Sequence, residues 1–495
     1  MNKLLLLSLL YSISFSENNN SRYQLEKIDK TEIDKEVTLE KKSLMILPFI
    51  EKKHGALADK ILTVLSNQAM SLGRFEIIDR NNVNEILEEQ KFQLSGIVNN
   101  ELVVEVGKLA SAEEALILEI THFGQKGVPK KEEGSPTDDD DDDTVFKWLV
   151  KTTVKETIKN IKSKDTLAWE NNIHTEFRGS IKIVNIQTGI LEHSFNLSSH
   201  YTGGNRDISL TNILEQISFQ IRRQLKNIYM ITSEIIEIDN NEINIISGED
   251  LGIQKGAMFE VSSNSRIKKY KGNTINLPGK TRGIIKITDV GINGSSGKIV
   301  RKWGKIKIGQ KAFELKSPPV AKEFNLTYSY SKRYEIAGKI WINYLSDFTG
   351  SINAHIGTIN DSRNNMDGYL GVGTDISYNL FSGFGTRGNL SINIPASLAW
   401  TTDDDGHNVA SFFSDPSIDG NLAIQISKTK DIVFNISYVF TKLHGPWQWQ
   451  RDTGSNDDDG NNITETERAI WLDGLKPAIE PEGFYFSVSI RTIRF

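Results

Sequence analysis

Residues 324–495 constrain this chain more than any other stretch, because their apolar residues recur at every second position. Leu390, Ile392, Ile394, Ala396, Leu398 and Trp400 share one parity, and Asn389, Ser391, Asn393 and Ser397 the other. Leu370, Val372, Ile376, Tyr378 and Leu380 repeat the pattern, as do Ile432, Phe434, Ile436, Tyr438 and Phe440. Weaker alternation runs through 324–330, 336–344, 352–356 and 422–426. A last run carries Phe484, Phe486, Val488 and Ile490 ahead of an aromatic residue, Phe495. A period of two gives each segment one apolar and one polar face, as in a strand. Several segments reach about 10 residues, the length a tilted strand needs to cross a bilayer. The pattern predicts an eight-stranded antiparallel barrel of outer-membrane type over residues 320–495.

The connections separate this reading from a soluble β-sandwich, which alternation alone would also allow. Short links near 346–349, 382–386 and 428–431 alternate with long polar ones at 359–367, 401–416 and 444–483. Short turns on one rim and long loops on the other are the membrane-barrel arrangement. The short link 331–335 is the exception on the loop side. The alternation slips between Ile490 and Ile493, where a bulge is expected. Trp447 and Trp449 open the longest loop and are expected in an aromatic girdle. A barrel of only eight strands is filled by its own side chains, so it is expected to anchor and not to conduct.

Upstream, Lys3, the apolar run 4–10 and Ser14-Phe15-Ser16 read as a signal peptide over residues 1–16, too short to span a membrane as a helix. The chain contains no cysteine, which excludes disulfides, thiolate chemistry and a lipidated N-terminal Cys. Its net charge of -6 gives no sign of a nucleic-acid partner. Residues 17–42 read as a flexible polar leader.

Residues 43–232 then alternate helices and strands, which predicts an α/β domain with a mixed sheet. A strand at 44–48 leads to a helix burying Leu57, Ile61, Leu65, Ala69 and Leu72, with Gly73 as its C-cap. A strand at 75–79 precedes a helix capped by Asn81 or Asn82 and carrying Val83, Ile86 and Leu87. A helix at 99–110 and a strand at 115–123 follow. A hairpin, 177–186 with 190–197, leads into a long amphipathic helix with Ile213, Ile217, Ile221 and Leu225 on one face. Residues 124–175 form an insertion with six consecutive aspartates at 138–143, read as a disordered linker. Its second half is a basic amphipathic helix with Phe146, Val150, Val154, Ile158 and Ile161 on one face. That helix is expected to fold on its own domain, with a membrane surface or a partner as alternatives. Residues 233–316 carry short strands and turns at Gly248, Gly252 and Gly256, which read as a small β-barrel module. Ser317-Pro318-Pro319 is a stiff linker into the last domain.

Ordered blocks in the α/β segment match a known pattern. They are Leu47-Pro48-Phe49, the run from Gly73 through Arg80, Ile86-Leu87-Glu88-Glu89-Gln90, Ser95-Gly96, Gly107-Lys108-Leu109-Ala110 and Val184-Asn185-Ile186-Gln187-Thr188-Gly189. On these residues the chain resembles the CsgG family, the curli secretion channel and its relatives, over about residues 43–230. The resemblance implies a periplasmic α/β domain that assembles into rings. It marks Leu47, Pro48, Phe49, Arg80, Glu89, Gln90, Asn185, Gln187, Thr188 and Gly189 as structural motif positions. The chain departs from the family in lacking the lipidated Cys, in offering only residues 50–56 where relatives carry a pore loop, and in the polar faces of its 176–197 hairpin. Residues 233–316 resemble, more weakly, the C-terminal module of the flagellar protein FlgT.

Enzyme chemistry has no visible carrier. No phosphate-cradling loop, zinc-protease motif or nucleophile elbow is present, and the eight histidines are scattered without ligand spacing. The acidic loops 403–406 and 457–460 would place Thr401 and Ser455 where a calcium loop needs a carboxylate. The expectation is a protein with no catalytic, cofactor or metal residues. Its partners would be outer-membrane lipid, further copies of itself and other envelope proteins. The membrane-anchoring residues would be Leu390, Ile392, Ile394, Leu398, Trp400, Ile432, Phe434, Ile436, Tyr438, Phe440 and Phe495. Three roles remain open: an anchored support of envelope assembly, secretion or scaffolding; a CsgG-type export channel; or a soluble periplasmic regulator of envelope synthesis.

Overall fold

A computed structural model of the chain describes residues 37–49, 54–78, 100–128, 171–271, 273–329, 333–363, 365–383, 385–440, 443–456, 462–472, 477–479 and 483–495. The expected signal peptide, the helix carrying Val83, the aspartate run and basic helix of the insertion, and the motif residues Arg80, Glu89 and Gln90 lie outside the described residues. So does the acidic loop 457–460.

The first layer is a mixed sheet with helices on both faces. Its elements are β1 (Lys42–Ile46), α1 (Gly55–Leu72), β2 (Phe75–Ile77), α2 (Asn100–Leu109), β3 (Glu114–Gly127), β4 (Ile173–Asn185), β5 (Leu191–Thr202) and α3 (Arg206–Ile228). The order is β2-β1-β3-β4-β5, with β1 parallel to both neighbours and the remaining pairs antiparallel. One apolar stripe on α1 and one on α3 bury against Leu44, Leu116, Phe177, Ile181 and Phe195. Val103 and Val106 of α2 cover the opposite face over Met45, Ala115 and Val184. α1 stops where Gly73 turns left-handed at φ 72°, and α3 starts where the Asn205 side chain accepts from the Ile208 N–H at 2.9 Å.

Leu47, Pro48, Phe49, Asn185, Gln187, Thr188 and Gly189 lie inside the described residues. Leu47 is buried beside β3, its N–H donating to the Leu116 carbonyl, while Pro48 and Phe49 are half-buried. Asn185 Oδ1 accepts from the Gln187 and Thr188 N–H groups, and Gly189 at φ 70° completes the turn between β4 and β5. β3 and β4 stay paired out to Gly127 and Ile173, beyond the expected strand ends. The leader, expected to extend through residue 42, ends earlier: the Thr38 N–H donates to the Thr232 carbonyl, and Lys42 opens β1.

The second module runs through β6 (Thr232–Asp239), β7 (Glu242–Ile245), β8 (Met258–Ser262), β9 (Arg266–Tyr270), β10 (Asn273–Leu277), β11 (Thr281–Val290), β12 (Ser295–Lys302) and β13 (Lys311–Glu314). Six of these close a barrel in the order β11-β12-β7-β6-β13-β8, and β9 with β10 makes a separate hairpin. Ile235, Ile243, Ile245, Phe259, Val261, Ile285 and Ile287 fill its core.

The third module comprises β14 (Val320–Ser329), β15 (Tyr334–Ile342), β16 (Phe348–Asn360), β17 (Met366–Gly383), β18 (Thr386–Thr402), β19 (Asn408–Ser414), β20 (Ser417–Gln425), β21 (Lys430–Val439), β22 (Leu443–His444), β23 (Gln448–Asn456), β24 (Asn462–Arg468) and β25 (Gly483–Arg494). β14 to β18, β20, β21 and β25 form an antiparallel meander, and β14 pairs with β25 to close it. Closure decides against a sandwich. β19 and β22–β24 belong to the two longest connections and extend the sheet above one rim, the loop rim. The opposite rim, with both barrel ends, is the turn rim. The bulge expected between Ile490 and Ile493 is absent, because β25 pairs with β14 in one unbroken register from Tyr485 to Arg494. Ile493 simply faces inward, where it packs with Ala321, Trp341 and Tyr344.

Candidate membrane surface and barrel interior

The outer face of the third module is an apolar belt. Leu326 pairs with Ile336 and Val488, Val488 with Phe434, and Phe434 with Leu422, so apolar side chains follow the hydrogen-bond direction around the barrel. Leu390, Ile392, Ile394, Phe434, Ile436, Tyr438 and Phe440 are exposed, with Ile392 at 52 % and Ile436 at 50 %. Trp400 is exposed near the loop rim, and Ile432 is half-buried. A contiguous surface of this kind far exceeds the isolated patches of a water-soluble protein. Aromatic pairs mark both edges: Tyr328 with Tyr334 and Tyr438 with Phe484 toward the loops, Phe348 with Tyr378 toward the turns. No helix among the described residues is long and apolar enough to cross a membrane.

Two expected anchor residues depart from this surface. Leu398 has the outward parity but is only 6 % exposed, standing in register between Leu370 and Phe412. Phe495 lies past the end of β25 and stacks on Trp303 of the small barrel, ring centroids 6.0 Å apart. Its partner is protein.

Inside, the barrel is packed with paired charges. Arg491 contacts Glu323 at 2.6 Å and donates to the Tyr344 hydroxyl at 2.7 Å, while the Trp341 indole donates to Glu323 at 2.7 Å. Lys339 pairs with Asp375 at 2.9 Å, and Asp375 also accepts from Ser351 and Asn353. Toward the loop rim Arg333 pairs with Asp415 and donates to the Tyr369 hydroxyl, which in turn donates to Glu335. Buried charges persist only when paired in this way. Between them lies a cavity of about 50 Å³ lined by Arg333, His355, Asp419 and Asn435, among others, with room for a few waters.

Among the described residues, an apolar cluster packs at each rim. At the loop rim Ile359, Tyr369, Val409, Phe413, Trp447 and Ile479 form an apolar stopper. Trp447, expected in a girdle, is buried there, its indole donating to the Pro477 carbonyl at 2.8 Å. Trp449 stacks on His407 with centroids 3.9 Å apart instead of meeting lipid. The long loops fold over the mouth, so their tryptophans meet protein. Asp403 fastens this cap. Its carboxylate accepts from the N–H groups of Asp405, His407 and Ile470, which leaves it engaged as a turn anchor. Burial works against its ionisation, but the His407 and Ile470 donors outweigh that and hold the carboxyl below its usual range. No cluster of His, Asp or Glu among the described residues is arranged to hold a metal ion.

At the turn rim the small barrel docks as a floor. Met258 and Ile284 pack on Trp341, Tyr344 and Ile493. Arg301 of β12 meets Asp431 at 2.8 Å and donates to the carbonyls of Lys428 at 2.8 Å, Ser427 at 2.9 Å and Lys430 at 3.3 Å. Lys428 reaches back to Glu260 at 2.9 Å, and Lys286 to Asp347 at 2.7 Å. The α/β domain is clamped to the small barrel in turn. Arg74, just past α1, pairs with Glu314 at 2.8 Å and donates to the Tyr229 carbonyl, and Glu314 also contacts Lys226. Gly73 and Gly252 meet backbone to backbone: a Cβ on Gly252 would collide with the Leu72 carbonyl oxygen. Sequence reasoning did not mark Arg301, Glu314, Arg333 or Arg491. A partial signal was available in the charged residues of β14, β15, β17 and β25 that fall on the inward parity, Glu323, Lys339, Asp375 and Arg491.

No protein-family model matches this chain, and no curated protein matches it either. Among solved structures it is similar to the N-terminal β-barrel domain of Pseudomonas aeruginosa OprF, with 11% identity and a TM-score of 0.23 over 36% of this chain and 98% of that one. It is similar to Neisserial surface protein A, with 8% identity and a TM-score of 0.22 over 35% of this chain and 94% of the other. A major outer membrane protein from Thermus thermophilus matches at 12% identity and a TM-score of 0.22, over 36% of this chain and 99% of that one.

Proposed function

We propose that this protein is a non-enzymatic outer-membrane anchor that holds a CsgG-like α/β domain against the inner face of that membrane, in support of envelope assembly, secretion or scaffolding. One observation carries the reading. An apolar belt encloses a barrel whose lumen holds buried ion pairs and whose rims each carry a packed apolar cluster, and the floor at the turn rim is itself clamped to the α/β domain. Such a barrel offers lipid a surface and solutes no passage. The order of strands and helices and the Asn185–Gly189 turn support the family likeness of the domain it carries. Lipid is the partner this role requires. Ring assembly through the α/β domain is the further expectation of that likeness, to be checked by electron microscopy of detergent-purified particles.

The test is expression of the full chain in a Gram-negative host. The reading expects recovery in the outer-membrane fraction after alkaline extraction, gel migration that shifts on heating, and no conductance steps in planar bilayers. Recovery in the soluble periplasmic fraction would sink the anchor, and discrete conductance steps would refute the sealed barrel.

A further inference from the structure

The belt has one basic corner, and its chemistry fits a lipid headgroup. On the outward parity, Phe324, Ile490 and Ile432 form one row across β14, β25 and β21, since Phe324 pairs with Ile490 and Ile490 with Ile432. The next row toward the turn rim reads Lys322, Thr492 and Lys430, again in direct register. Arg494 follows two residues farther along β25, beside Val320. Lys322, Lys430, Thr492 and Arg494 are all exposed. Neither lysine nor Arg494 forms an ion pair among the described residues. In the lumen, by contrast, Arg333, Lys339 and Arg491 each have a carboxylate, and Arg387 is held by Asn389 and the Ser346 carbonyl.

The cations are confined to this corner. Lys322 pairs on its other side with Ile340, and the outward residues at the turn-rim ends of β15, β16, β17, β18 and β20 are Ile342, Phe348, Leu380, Thr386 and Ile424. Neighbouring strands lie about 4.8 Å apart, so Lys322 and Lys430 flank Thr492 at roughly 10 Å between backbones. Two lysine side chains reach a common point across that distance, with a hydroxyl between them and a guanidinium below. Three cations outside any ion pair and a hydroxyl thus stand on neighbouring positions at the edge of an apolar wall.

We propose that Lys322, Thr492, Lys430 and Arg494 form a headgroup site for an anionic glycerophospholipid in the turn-rim leaflet, its phosphate held by charge-assisted hydrogen bonds and its acyl chains lying over Phe324, Ile490 and Ile432. The inference rests on the membrane reading above and narrows it to a lipid class and a leaflet.

The experiment uses the full chain, reconstituted in nanodiscs of equal parts phosphatidylethanolamine and phosphatidylglycerol. The protein is then extracted into detergent, and the lipids it retains are quantified by mass spectrometry. The wild type is expected to retain phosphatidylglycerol over phosphatidylethanolamine. Lys322→Gln and Lys430→Gln are each expected to lower that preference about fivefold, the equivalent of about 1 kcal/mol per cation. The Lys322→Gln/Lys430→Gln/Arg494→Gln variant is expected to abolish it, and Lys255→Gln, an exposed position of the small barrel paired with Asp289, to leave it unchanged. Heat-shifted gel migration of each variant checks that the barrel is folded, and the single variants carry the test if the triple one is not. A wild type without preference, or a folded triple variant that keeps it, overturns the site. Failure of the wild type to insert into nanodiscs refutes the membrane reading itself, so the two failures are distinguishable.

Discussion

Replacing Arg301 by alanine should undock the small barrel from the membrane barrel. The Arg301 and Asp431 side chains are 5% and 3% exposed, and the same guanidinium serves three turn carbonyls between Ser427 and Lys430. Removing one partner of a buried ion pair costs about 3–5 kcal/mol, because the other charge stays buried without compensation. The Tyr344 hydroxyl, 3.1 Å from Asp431, offsets only a part of that loss. Most of the remaining contact is apolar packing around Met258, Ile284 and Trp341, which the substitution leaves in place. The cost therefore falls on the docking equilibrium, and 3–5 kcal/mol raises the undocked population roughly 10²- to 10⁴-fold.

The linker Ser317-Pro318-Pro319 reports undocking, since a protease needs local opening to cut beside it. Limited proteolysis of the detergent-solubilised full chain should cleave the Arg301→Ala variant faster by roughly 10²-fold or more, with the heat-shifted migration of the C-terminal barrel unchanged. Arg301→Lys keeps the charge but cannot reach all four acceptors at once, and should fall between. Asp431→Asn leaves Arg301 bonded to the carbonyls and should cost less than Arg301→Ala. The double variant should cost less than the sum of the two. Cleavage of Arg301→Ala within a few-fold of the wild type would refute the idea that this ion pair holds the floor in place.

Three further outcomes follow from the same geometry. Ile392→Lys places a charge in the middle of the belt and should destabilise the bilayer-embedded barrel by about 2–4 kcal/mol, measured by urea unfolding in lipid vesicles. Gly252→Ala puts a Cβ onto the Leu72 carbonyl at φ +75°, whereas Gly256→Ala, at φ +91°, meets nothing within 4 Å; only the first should raise hydrogen exchange at the end of α1, with strain alone of about 1–2 kcal/mol common to both. The Asp403 carboxyl has a lowered pKa in the folded cap, so its stabilisation is fully present above the ordinary carboxylate pKa of about 4 and is lost as pH falls through the lower folded value. Near-UV circular dichroism of the cap should accordingly hold steady from neutral pH down to about 5 and change only in stronger acid, and Asp403→Ala should loosen the cap already at neutral pH.

Alternation was legible because lipid biases a whole face in one direction: the outward positions of a spanning strand are mostly apolar, whatever lies inside. Rows such as Leu390, Ile392 and Ile394 obey it, and eight strands could be counted from it. What alternation cannot report is which other segment covers a given position. Ile493 breaks the parity because Met258 and Ile284, from another module, replace water at the turn-rim mouth, so the inward side becomes apolar there. Trp447 leaves the girdle because Pro477 lies over it, and Leu398 leaves the belt because Phe412 on β19 rises beside it. In each case the deciding contact joins segments that local periodicity treats separately. The same holds for charge. Glu323 and Arg491 are 168 residues apart, and their being on the inward parity of their strands says only that they share a lumen. That they pair, and so fill the lumen, follows from closure of β14 on β25. Arg491 with Glu323, Lys339 with Asp375 and Arg333 with Asp415 pair across strands closed into so narrow a barrel, and side chains paired there occupy the space that a solute would need.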